Sequence, residues 1–153
     1  KVKPVEIAEQ IETFTIEFNH IRDESAILNL VWDHTVVPIK LQIDLTDKLV
    51  PQIEAAMASP DKKSDGFYFQ AATFYYDHNL DLHKALDWVN AGLADNTFIA
   101  FEMLHLKAQI LTKQGDKAGA IAAAKKSTEL AIKAEGPENS FVEMNQNLIR
   151  SSQ

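Results

Sequence analysis

Apolar residues alternate with polar ones over residues 13–43 and then, beyond Leu45, recur every three to four positions. In the first stretch Phe14, Ile16 and Phe18 share one face of an extended segment. Ala26, Leu28, Leu30 and Trp32 share a face of a second, and Val37, Ile39, Leu41 and Ile43 a face of a third. The polar breaks at residues 20–25 and 33–35 are short enough for antiparallel connections. Pro38 cannot donate to a sheet ladder, so the third strand lies at an edge or begins its regular pairing later. The pattern predicts a three-stranded antiparallel meander.

The later spacing is helical. It predicts helices over residues 48–58, 66–78, 82–94, 98–114 and 117–135, and a sixth from Ser140. In the first of these Leu49, Ile53 and Met57 stand at i, i+4 and i+8, with Pro51 in the first turn, where no N–H is needed. Ser64 or Asp65 is expected to cap the second helix. Ser140 and Glu143 fit a capping box behind Gly136 and Pro137, and Phe141, Met144 and Leu148 form the stripe of the last helix. The fold class is therefore α+β: a β-meander over residues 1–45, the end of a larger β-rich region, then a helical domain over residues 46–153.

Two helical stretches superpose on each other. Asp81 meets Asp116, Ala85 meets Ala120 and Leu86 meets Ile121, a shift of 35 residues that also sets Tyr76 on Leu111. A helix–turn–helix repeat of this length resembles the tetratricopeptide type. Small residues stand where paired helices approach: Ala85 and Gly92 in one copy, Ala120, Ala124 and Ser127 in the other. Gly115 ends its helix as such a repeat expects, whereas Leu80 takes that place in the first copy. Lys107 stands where an apolar residue is usual. The last helix reads as a cap.

The strand pair "ETFTIEFNHIRDESAILNLVWDHTVVPIKL", with "IEAAMA", "AATFYYDHNLDLHKALDWVNAGL" and "KAQILTKQGDKAGAIAAAKKSTELA", is similar to a family of exported bacterial proteins, domain-of-unknown-function family 2911. The resemblance covers nearly all of the chain. It implies the C-terminal part of a periplasmic or secreted protein, with a β-rich part and an export signal ahead of it. It brings no catalytic residues to carry over. The opening on Lys1 rather than Met agrees with a leader or upstream domain having preceded these residues.

Composition narrows the function classes. A net charge of -7 argues against a nucleic-acid binder, which presents a basic face to phosphates. The absence of Cys removes disulfides, thiol catalysis and thiolate zinc sites. No apolar run is long enough to span a bilayer.

Candidate chemistry is sparse. Asp77, Asn79 and Asp81 have the spacing that opens a calcium loop, but the sixth and twelfth positions hold Leu82 and Trp88 instead of Gly and Glu. His78 and His83 lie five apart, off a common helical face. This stretch reads as a helix end, a polar bend and an N-cap at Asp81. His20 and His34 fall at expected strand ends, and Trp32 and Trp88 at core positions. No nucleophile elbow or phosphate loop occurs. The expectation is a protein without catalytic residues, cofactor or metal.

Two functional readings remain. One is a non-enzymatic interaction module that holds a peptide or protein segment, or the upstream domain of the same chain, on the helical repeats. The alternative is an accessory domain of an exported enzyme or carbohydrate-binding protein whose active part lies upstream. In tetratricopeptide arrays the first helix of each pair lines the concave side. The candidate groove is therefore Phe67, Gln70, Phe74, Asp77 and His78 in the first copy, and Glu102, His105, Gln109, Thr112 and Lys113 in the second.

Overall fold

The computed structural model describes residues 1–22, 24–94 and 97–152. Asp23, in the expected break at residues 20–25, lies outside them. The chain divides into two compact units, Lys1–Ala55 and Ala56–Gln153.

The first unit holds two strands where three were expected. β1 (Val5–Arg22) and β2 (Ser25–Gln42) pair antiparallel. The expected second and third strands are one continuous strand, β2. The polar break at residues 33–35 is absorbed within it, because Asp33 takes a left-handed backbone (φ 52°) that Asp tolerates. Pairing resumes beyond it, with Thr35 opposite Glu6 and Val36 opposite Val5. His34 thus lies inside β2, its Nδ1 3.2 Å from the Ile7 carbonyl.

β1 also starts earlier than alternation suggested. Register shifts fall between Glu6 and Ile11, Ile11 and Thr15, and Asn19 and Arg22. Its half-buried positions are Ile7, Ile11, Thr15 and Asn19, every fourth residue. Bulges break the period of two by which a strand is recognised. Phe14, Ile16, Phe18 and Trp32 are exposed. Trp32 is therefore not the core residue its spacing suggested.

α1 (Thr46–Ala58) begins before the expected start. Asp44 Oδ1 accepts the Thr46 N–H at 2.8 Å, and the Leu45 carbonyl accepts from Leu49 at 2.8 Å. Pro51 consequently sits past the first turn, where it leaves the Asp47 carbonyl without its helical donor.

Five helices follow: α2 (Asp65–Asp77), α3 (Leu82–Leu93), α4 (Ala100–Gln114), α5 (Lys117–Glu135) and α6 (Ser140–Ser152). Successive helices pack on one another, and α4 and α6 also touch the helix two before them. Ser64 caps α2 through the Phe67 N–H, and Asp81 caps α3 through His83 and Lys84. Asn139 receives the Phe141 N–H at 2.8 Å at the start of α6, a residue ahead of the expected capping box. Short polar side chains close these helix starts because they satisfy N–H groups that lack intrahelical partners.

Some of the positions aligned in the sequence share their burial. Ala85 and Ala120 are fully buried, as are Val89 and Ala124, which keeps the shift of 35 in α3 and α5. At the ends of α2 and α4, the carbonyls of buried Tyr75 and Leu111 each accept an N–H from the following bend, which matches them at a shift of 36. Tyr75, not Tyr76, is thus the counterpart of Leu111. The extra residue is in the first bend. Asn79 adopts a left-handed backbone (φ 52°) and Leu80 N–H bonds to Tyr75 O at 2.9 Å. Gly115 (φ 83°) takes that conformation in the second bend, and Asp116 N–H bonds to Leu111 O at 2.9 Å. Leu80 has no counterpart between Gly115 and the cap Asp116.

Gly92 is buried against Met103 and Tyr68, so a side chain at 92 would displace the α3–α4 contact. The core continues through Ala108, Leu111, Ala120, Ala123 and Ala124, on which Leu86, Leu148 and Ile149 pack.

Candidate functional site

The one-residue difference rotates the two halves of the expected groove out of phase. Phe67, Gln70, Phe74, Asp77 and His78 on α2 were matched to α4 at a shift of 35, whereas their helix follows 36. Asp77 thus corresponds to Lys113, and Tyr76 to Thr112.

On α2, Gln70 and Asp77 are exposed and Phe67 is half-buried. Phe74 and His78 stack on each other at 4.0 Å, and His78 Nδ1 lies 2.8 Å from the Phe74 carbonyl. On α4, Gln109 is half-buried, and exposed Thr112 donates to Ala108 O at 2.8 Å. Lys113 bridges to α2: its Nζ donates to Tyr76 O and Asn79 Oδ1, each at 2.9 Å, and lies 3.9 Å from the Tyr76 ring centroid. It fastens two helices together.

His105 is the clearest correction. Only 6 % of its surface is exposed, so it does not face a groove. Ser127 Oγ donates to Phe101 O at 2.7 Å and accepts from Asn145 Nδ2 at 2.9 Å. Asn145 Oδ1 is then an acceptor, 2.7 Å from His105 Nδ1, so Nδ1 carries the proton. Phe141 meets the His105 ring edge-on at 5.3 Å. This chain ties α4, α5 and α6 together through buried polar groups. The expected α6 stripe contained Met144, which is exposed; Asn145, one position on, is fully buried.

One turn before His105, Glu102 Oε2 is buried without a hydrogen-bond partner, as is His105 Nε2. Burial pushes the Glu102 carboxyl above its ordinary value, and the charge of Glu135 acts in the same direction. A raised carboxyl favours folding below its unfolded pKa, and that benefit is lost as pH rises through the folded value. Glu102→Gln is accordingly expected to unfold at a higher temperature than the wild type at about pH 7, with the gap closing towards about pH 3.5. Equal midpoints at neutral pH would show that the ionised carboxylate is well solvated.

A concavity lies elsewhere on this unit. α3 and α5 both pack on α4, and a groove of about 720 Å³ runs between them. Leu104, Lys107 and Leu111 of α4 contribute to its lining. One wall carries Leu86, Asn90 and Leu93. The other carries Gly119 and Ala123, whose small size opens the space, then Lys126 and Leu130. Lys107 Nζ donates to Asn90 Oδ1 at 2.6 Å. The residue that departs from the repeat pattern is therefore part of this groove. Its position was legible in that departure, but its surroundings were not.

Among the described residues, no group of three or more His, Cys, Asp or Glu side chains is placed to hold a metal ion. No helix among them is long and apolar enough to cross a membrane. No protein-family model, curated protein or solved structure matches the chain.

Proposed function

We propose that the helical unit is a non-enzymatic interaction module, a short tetratricopeptide-like array that holds a peptide or protein segment. The observation that carries this reading is the leucine-lined groove between α3 and α5. Apolar concavities with a few convergent polar groups are where segments and small ligands bind. The groove supports the reading better than the α2–α4 stripe, where His105 is buried and Lys113 is engaged on α2. Asp81 caps α3, Asp116 caps α5 and Lys113 fastens α4 to α2, structural roles that fit a binding module. The sequence resemblance to exported bacterial proteins supports a periplasmic or secreted setting, with the upstream domain of such a protein as one source of the segment.

Hydrogen exchange on the full chain tests the site. A synthetic amphipathic Leu-bearing helical peptide is expected to protect residues 86–94 and 119–130. Protection confined to residues 67–78 would move the site to the α2 face. No protection anywhere would remove the binding reading.

A further inference from the structure

The polar groups of the groove are unlike those of the chain as a whole. The protein carries a net charge of -7, yet two of the groove's three charged residues, Lys107 and Lys126, are cationic. The third, Asp116, already accepts the Gly119 N–H at 2.9 Å as the α5 cap. Lys107 is half-buried, and its bond to Asn90 is to a neutral amide. An ammonium is held more strongly by an anion than by a neutral amide. Because Lys offers only donors, Asn90 turns its oxygen to Lys107, and its amide N–H groups remain able to donate to a ligand. The pair thus offers two kinds of donor to one carboxylate. Leu104 and Leu111 stand one turn to either side of Lys107, so apolar surface continues past the donors in both directions. That favours an internal acidic side chain over a chain terminus.

We propose that this groove receives an amphipathic segment of a partner protein bearing an acidic side chain between two apolar anchors, its carboxylate held by Lys107 Nζ and Asn90 Nδ2. This rests on the reading of the groove as the binding site.

Calorimetry with the full chain and two acetylated, amidated helical peptides tests it. One carries Leu, Glu and Leu at i, i+4 and i+7 in an Ala/Gln host; its twin has Gln for Glu. The Glu peptide is expected to bind about tenfold more tightly, the effect of one charge-assisted contact. Lys107→Met is expected to remove that preference while still binding both peptides, and Asn90→Ala to reduce it, which serves if the first variant folds poorly. Equal binding of the twins to the wild type, or a preference untouched by both variants, overturns the proposal and leaves the groove reading standing. Binding of neither peptide defeats the groove reading and the proposal with it. Lys107-dependent binding of dodecanoate without the Glu peptide would assign the donors to a lipid-like anion and overturn the proposal.

Discussion

Tyr75→Ala is expected to destabilise the helical unit by about 3–5 kcal/mol, the range for truncating a fully buried aromatic side chain. Tyr75 is 2 % exposed and meets Trp88 edge-to-face at 4.6 Å between ring centroids. Its removal costs the burial of the ring, leaves a cavity between α2 and α3, and takes away the wall on which Trp88 rests. Trp88 itself is half-buried, so Trp88→Ala is expected to cost less. Urea titrations followed by circular dichroism give both values. A loss below about 1 kcal/mol for Tyr75→Ala would mean that the site collapses without a cavity.

Asn145→Leu is expected to cost about 2–5 kcal/mol although it keeps the branched shape of the side chain and places an apolar residue in a buried position. Asn145 accepts from His105 and donates to Ser127. Leu offers neither group, so the His105 Nδ1–H is left buried without an acceptor and Ser127 loses its donor. Each orphaned buried polar group costs roughly 1–3 kcal/mol. The double variant Ser127→Ala/Asn145→Leu is expected to lose less than the sum of the single losses, because the two share one hydrogen bond. Strict additivity would show that the chain does not act as a unit.

Most of the helical unit was legible in the sequence for local reasons. The helices follow from apolar spacing, and their limits from Asp81, Asp116, Ser64 and Gly115, whose side chains or backbone freedom act on immediately neighbouring groups. The bend at residues 77–81 was readable as a bend because a calcium loop needs residue types absent there. The strands were only partly legible. Alternation marks a regular strand, and β1 departs from it at each register shift. The Asp33 break looked like a turn because polar residues in sequence do not reveal whether a backbone reverses or takes one left-handed step within a strand.

By itself, then, the sequence determined the change from strand to helix, the caps at Ser64 and Asp81, and the helix end at Gly115. The tertiary structure decided the rest. It decided that the first bend holds one residue more than the second, since this rests on which carbonyl each bend's N–H reaches. It decided that His105 is an interior residue, because its burial depends on α6, 40 positions away along the chain at Asn145. It also decided where the groove runs, since α3 and α5 are brought together by their common packing on α4. Periodicity assigns a residue to a face of its own helix; what covers that face is set by long-range packing.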